Sequence, residues 1–313
     1  MIYTLTLNPA IDLFIKTNEL KRNIVNRTQE ENPQASGKGI NVSLLLNKLN
    51  FFNYALGIGG GFPLNFIESE LNKKRIKNFF VKIKGLTRIN VFTHVDKENY
   101  EIKQVNPGPT VALKQQNKLL DFLDNQLKPQ DILEVSGSFA KGISPNILVK
   151  LAQIIANNSA KLIVDTSYKE VLNILKFKPL LIKPNENEIK NWFDISKDLD
   201  KYALSDLAKK LVYRGAQNVL LSLGGEGALL VNQKHVYFGN APKINVLNSA
   251  GSGDTMLATF ISGLVKKVGS KQNLRLSIAA GSDSATKKTL TDFKNLERLE
   301  NQIKVSSLNK NEN

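Results

Sequence analysis

The run Asn248-Ser-Ala-Gly-Ser-Gly-Asp254 has the make-up of an anion cradle joined to a carboxylate. Glycines on either side of Ser252 let the consecutive amides of Gly251, Ser252 and Gly253 turn toward one point, and the helix that follows adds the positive end of its dipole there. A carboxylate beside such a cradle is placed to accept a proton from a hydroxyl that attacks phosphorus. The same spacing fits Asp254 as an ordinary N-cap, because aspartate commonly fills that position. Both readings are open in the sequence.

A second glycine cluster, Ser36-Gly37-Lys38-Gly39-Ile40-Asn41, also opens a helical pattern. Small residues allow close backbone approach, while Lys38 and Asn41 offer polar groups to whatever docks; a plain capped loop is the alternative. No Gly-Lys-Ser/Thr occurs, so it is not a Walker A loop, and Gly57-Ile-Gly-Gly-Gly-Phe62 carries Phe62 where the dinucleotide fingerprint ends in glycine. Lys183-Pro-Asn-Glu-Asn-Glu188 follows a strand-like run, the place where parallel sheets put ligand-binding residues. Asn185 and Glu188 share one face of a helical turn and suit a hydrated Mg²⁺ with phosphate oxygens. The bland alternative makes Pro184 the first helical residue and Glu188 a dipole partner. Ser222-Leu223-Gly224-Gly225-Glu226-Gly227-Ala228 reads in isolation as a strand, a tight glycine turn and a second strand.

The 313 residues include no cysteine and two histidines, which removes disulfides, thiolate nucleophiles and Cys-based zinc sites. Carboxylates, lysines and backbone amides are left to do any chemistry. His94 and His235 fall in strand-like surface segments, and Trp192 and the Phe51-Phe52 pair read as packing residues. The net charge of +15 favours polyanionic or phosphorylated partners. It is spread over Lys/Asn-rich segments with no basic block interleaved with aromatics, so nucleic acid and membranes are not expected partners. The first residues lack a basic n-region and no apolar run approaches a membrane span, which makes a cytoplasmic location the expectation.

These motifs must be held by a scaffold, and the hydrophobic periodicity describes one. It predicts strands over 2–7, 54–58, 131–135, 161–165, 180–183 and 218–223, and helices beginning after Gly39 and over 145–157, 168–175, 204–214 and 255–267. Strands alternating with helices imply an α/β fold: a doubly wound, mostly parallel sheet with helices on both faces. Residues 13–28 and 88–105 break the rhythm and read as insertions at one edge. The polar stretch 306–313 reads as a frayed tail.

Taken together and in order, the motifs resemble the PfkB (ribokinase-like) carbohydrate kinases over essentially the whole chain. Thr4-Leu-Thr-Leu-Asn-Pro-Ala-Ile-Asp12, the 36–41 loop, Thr87-Arg-Ile-Asn90, Asn106-Pro-Gly-Pro109 and Ser136-Gly-Ser138 are most similar to the 1-phosphofructokinase and tagatose-6-phosphate kinase branch. The run from Thr87 to Val91 is more similar to the former. The resemblance implies one kinase domain over 1–313, with a small β-sheet lid formed by roughly 12–30 and 88–105. It implies Asp254 as catalytic base and the amides of Gly251, Ser252 and Gly253 as an anion hole. ATP would lie along Ser222, Leu223, Gly224, Gly225, Glu226 and Gly227 with Lys183, while Asn185 and Glu188 serve its phosphates and Mg²⁺. Asp12, Gly37, Lys38, Asn41 and Asn90 would meet the sugar, and Arg88, Lys38 and Ser138 its existing phosphate.

The implied reaction is ATP-dependent phosphorylation of D-fructose 1-phosphate at the 6-hydroxyl, with tagatose 6-phosphate as the alternative substrate and a homodimer through the lid sheet as the expected assembly. A catalytically silent sugar-phosphate sensor is the rival from another class, and its mark would be a missing base. The sequence departs from the family pattern at Thr259, where Gly or Ala is usual, at Phe139-Ala140 in place of Leu-Pro, and over 281–288, which lacks a glycine often found near the adenine.

Overall fold

Ile2–Thr6 is apolar or β-branched at every position and buried on both faces, which suits the interior of a sheet. The computed structural model describes residues 1–308 and places that strand in a ten-stranded sheet. The spatial order is Val305–Ser307, Val236–Asn240, Gly227–Asn232, Asn218–Ser222, Leu181–Ile182, Lys161–Asp165, Ile132–Ser136, Ile2–Thr6, Asn53–Gly59 and Lys77–Lys82. From Asn218–Ser222 to Lys77–Lys82 all pairings are parallel, and the remaining strands add on as antiparallel neighbours.

Both faces carry helices. Leu5, Leu133, Val135, Val164 and Leu221 pack against helices Leu113–Gln126, Ile147–Asn157 and Lys201–Tyr213. On the opposite face Ile2, Ile132, Ile163, Leu181 and Leu220 pack against Lys38–Lys48, Ser252–Val265 and Ser270–Ala285. This second face changes character along the strands. With side chains alternating, Ile2 is followed by Thr4 and Thr6, Ile132 by Glu134 and Ser136, Ile163 by Asp165, and Leu181 by Lys183, all buried. The sheet is oily at the N-terminal ends of its strands and polar at the C-terminal ends, where parallel sheets hold ligands.

A smaller sheet runs Glu30–Ser36, Ala10–Thr17, Arg88–Val95, Tyr100–Gln104. It reaches past the expected lid bounds of 12–30, because its edge strand continues to Ser36. That strand carries Glu30, Glu31, Asn32 and Pro33, all exposed, and has no alternation to betray it; proline is tolerated there because an edge strand leaves N–H groups unpaired.

Other expectations need correction. The helix expected over 255–267 begins at Ser252 and ends at Val265. The tail is ordered further than its polarity suggests: Val305–Ser307 pairs with Val236–Asn240 and the Leu308 amide donates to the Val236 carbonyl, while the rest of 306–313 lies outside the described residues. Trp192 is buried and its indole donates to the Ser167 carbonyl, but Phe52 is 90% exposed and packs no core. No helix among the described residues is long and apolar enough to cross a membrane.

Gly37 sets where helix Lys38–Lys48 starts. Its φ of 121° belongs to glycine, and an added Cβ would stand 2.6 Å from Thr6 Cγ2. Gly37→Ala is expected to lower stability by about 1–3 kcal/mol in urea unfolding at neutral pH; an unchanged midpoint would contradict this close packing.

Candidate active site

Helix Ser252–Val265 is capped by Gly251 in the left-handed conformation, φ 79°, where a Cβ would meet Leu290 at 2.6 Å. Asp254 therefore sits inside the first turn and caps nothing, which removes the N-cap reading. It is buried, and Oδ2 accepts a hydrogen bond from Asn41 Nδ2 at 2.8 Å. Burial pushes its carboxyl above the usual range; the Lys38 ammonium and the Asn41 bond oppose that, while Asp165 adds to it. The cradle differs in one amide from expectation. The Ser252 N–H donates to the Ser249 carbonyl at 3.2 Å, leaving the amides of Gly251, Gly253 and Asp254 without main-chain partners among the described residues.

Lys38 and Asn41 are three apart on helix Lys38–Lys48 and so share a face. Lys38 Nζ lies 3.0 Å from Asp165 Oδ1, and Lys183 Nζ lies 3.1 Å from Asp165 Oδ2. Burial would lower the Lys38 pKa, but the charge of Asp165, followed by that of Asp254, raises it above the ordinary lysine value. Asp165 is fully buried, yet Lys183 and Lys38 hold its carboxyl below its usual range. The Lys183 ammonium is 3.3 Å from where a Cβ on Gly253 would stand, so it lies directly against the cradle.

The residues expected to meet the sugar come together at the smaller sheet. Asp12 and Asn90 are cross-strand neighbours; Asn90 Nδ2 donates to Asp12 Oδ1 at 2.7 Å, Ser36 Oγ donates to Oδ2, and the Asn106 amide donates to Asn90 Oδ1 at 3.1 Å. A cleft of about 330 Å³ between this sheet and the cradle loop is lined by Asp12, Ser36, Asn41, Asn248 and Gly251, a size fit for a small ligand. Arg88 is anchored: its guanidinium donates to the carbonyls of Asn8 at 3.0 Å and Asn106 at 3.4 Å. Burial lowers its pKa while Asp12 supports the charge. Ser138 is exposed, just beyond Gly137, which packs on the Lys38 stem. Phe139 of the unusual Phe139-Ala140 pair is buried against the Tyr168 ring, whose hydroxyl accepts its amide hydrogen bond.

Asn185 is the N-cap of helix Glu186–Trp192, so Pro184 precedes the cap and is not the first helical residue. Asn185 Oδ1 accepts from the Glu188 amide and Glu188 Oε2 accepts from the Asn185 amide, both at 2.8 Å. This capping box leaves Glu188 Oε1 and Asn185 Nδ2 free, and no cluster of three or more metal-ligating side chains occurs among the described residues. Such a sparse donor set fits Mg²⁺, which keeps waters and takes most ligands from substrate phosphates. Ser222 and Leu223 end one strand, Gly224–Glu226 is a 3-10 turn, and Gly227–Asn232 returns antiparallel; Asn185 bridges to Ser222, bringing the two predicted ATP segments side by side.

A model of the pfkB family carbohydrate kinases matches residues 5–295. The chain belongs to this family. This pfkB kinase is 39% identical to the D-tagatose-1-phosphate kinase of Bacillus licheniformis over 98% of its length and 100% of that protein's. It is 32% identical to the 1-phosphofructokinase of Bacillus subtilis, again over 98% and 100%. Its structure matches phosphofructokinase-2 of Escherichia coli in complex with fructose-6-phosphate with a TM-score of 0.85 and 26% identity, covering 96% and 98% of the two chains. The pfkB chain is a sugar kinase, a phosphotransferase, and sugar kinases of this family use ATP.

Three residues hold the candidate site together in ways that the motifs do not show. Asp165 looks like a routine strand end, and only the sheet register shows it between Lys38 and Lys183. Ser36 and Asn106 open their motifs, but their bonds to Asp12 and Asn90 span 24 and 16 residues.

Proposed function

We propose that this kinase transfers the γ-phosphoryl group of ATP to the 6-hydroxyl of a ketohexose 1-phosphate, with D-fructose 1-phosphate as substrate. The observation that carries the mechanism is Asp254: buried, not a cap, joined to Asn41 on the sugar side and contiguous with the cradle amides on the phosphate side. Asp254 accepts the 6-hydroxyl proton as that oxygen bonds to the γ-phosphorus in line; the bond from phosphorus to the bridging oxygen breaks and ADP leaves. The amides of Gly251 and Gly253 and the Lys183 ammonium stabilise charge on the group in transfer. Glu188 and Asn185 would hold the Mg²⁺ of MgATP, which when bound neutralises phosphate charge. Asp12, Asn90, Asn41 and Lys38 orient the sugar hydroxyls, and closure of the smaller sheet excludes water.

The 39% identity to a relative named for D-tagatose 1-phosphate makes that sugar, a C4 epimer of fructose 1-phosphate, the second reading. An ADP-release assay over fructose 1-phosphate, tagatose 1-phosphate, tagatose 6-phosphate and the unphosphorylated ketoses decides among them. Highest kcat/KM with fructose 1-phosphate is expected; preference for a 6-phosphate would overturn the assignment. We also propose pairing of two copies through the smaller sheet, checked by sedimentation.

After binding two carbonyls Arg88 keeps one N–H on each terminal nitrogen, its Nε being buried, and these two donors can contact the 1-phosphate from a fixed position. Arg88→Ala is expected to raise KM for the sugar phosphate about tenfold or more while changing KM for ATP little. Equal rises in both would mean that Arg88 only ties the Asn8 turn to the 106–109 loop.

A further inference from the structure

Glu134 stands in the middle of Ile132–Ser136, fully buried, in register with Thr4 on one side and Ile163 on the other. Neither carboxyl oxygen has a hydrogen-bond partner among the described residues, and the same holds for the hydroxyls of Thr4, Thr6 and Ser136 on its face. Asp165 Oδ2, buried on the same face, meets the Lys183 ammonium at 3.1 Å. The charged groups facing Glu134 are Asp165 on the next strand, Asp254 on helix Ser252–Val265, Lys38 on helix Lys38–Lys48 and Lys183 beyond Leu181–Ile182. Two ammoniums thus meet two aspartates, and a third anion here would have no counter-charge. Burial, then Asp165 and Asp254, raise the Glu134 pKa well above the ordinary glutamate value.

A buried acid without a partner is costly, and such costs persist where function maintains them. We propose that Glu134 is a positioning residue: buried in the strand beside Asp165 and making no hydrogen bond of its own, its carboxyl fills this polar layer and leaves both ammoniums directed at Asp165 and the transferred phosphate, with Asp254 the only other anion. Ionised, it draws Lys38 and Lys183 inward and competes with the γ-phosphate for them. The inference rests on the kinase reading above for its kinetic consequence.

The test is the pH profile of kcat for the wild type, Glu134→Gln and Glu134→Leu, with thermal melts of all three. Wild-type kcat is expected to decline on the alkaline side. Glu134→Gln, a donor that never ionises, should lack that decline and stay within about threefold at neutral pH; Glu134→Leu should lose about ten- to a hundredfold in kcat with little change in KM, as the lysines shift. An unaltered alkaline decline in Glu134→Gln, or wild-type kcat in Glu134→Leu, overturns the proposal. The melts need no turnover. A raised folded-state pKa contributes stability below the unfolded value and loses it as pH rises, so the Tm advantage of Glu134→Gln over wild type should be small near pH 4 and widen toward neutrality. A pH-independent difference contradicts a proton-bearing Glu134, whereas a wild type inactive on every sugar phosphate refutes the kinase reading and leaves the melts to judge Glu134.

Discussion

Asp254→Asn is expected to fold and melt like the parent and to lose about 10²- to 10⁴-fold in kcat with the ketohexose 1-phosphate. Stability is spared because Asp254 is not the helix cap, and an asparagine oxygen can still accept the Asn41 bond. Rate is lost because an amide cannot take the proton released as the hydroxyl attacks. Since burial raises the Asp254 pKa, the acid limb of the wild-type profile should fall above the ordinary aspartate range. Steady-state kinetics with a melt as control measures both; a variant within threefold of wild type would make Asp254 structural.

The largest stability effect is expected from Asp165→Asn. It leaves the ammoniums of Lys38 and Lys183 side by side, the latter nearly inaccessible, without the carboxylate that both contact. Removing one member of a buried ionic set costs about 3–5 kcal/mol. The sign with pH follows from the lowered Asp165 pKa: its contribution is present above the unfolded value of 3.8 and is lost as pH falls through the folded value. Urea unfolding at neutral pH should therefore separate wild type and variant widely, and acidification should narrow the gap. A gap below about 1 kcal/mol would mean that water, not Asp165, neutralises the lysines.

Much of this architecture is legible because glycines and alternating apolar residues leave strong local marks. The cradle before Asp254, the 36–41 loop and the turn after Ser222 are visible since each needs backbone conformations or close approaches that glycine supplies. The central strands are visible since burial on both faces demands apolar runs. The exposed strand Glu30–Ser36 and the Lys/Asn-rich strand Lys77–Lys82 carry less pattern, as sheet edges are freed from that demand. Roles set by register are harder still. Asp165, Glu134, Thr4 and Thr6 become one polar layer only when three parallel strands are aligned, and whether Asp254 caps its helix depends on a three-residue difference in where that helix begins.

In the proposed reaction a phosphoryl group is placed on the 6-oxygen of a sugar already phosphorylated at carbon 1. ³¹P and ¹³C NMR of the product formed from MgATP and ¹³C-labelled fructose 1-phosphate reads this directly. One equivalent of ADP and a new phosphorus coupling at carbon 6, giving fructose 1,6-bisphosphate, are expected. ATP consumed without that coupling, or label recovered only as fructose 1-phosphate, would contradict it.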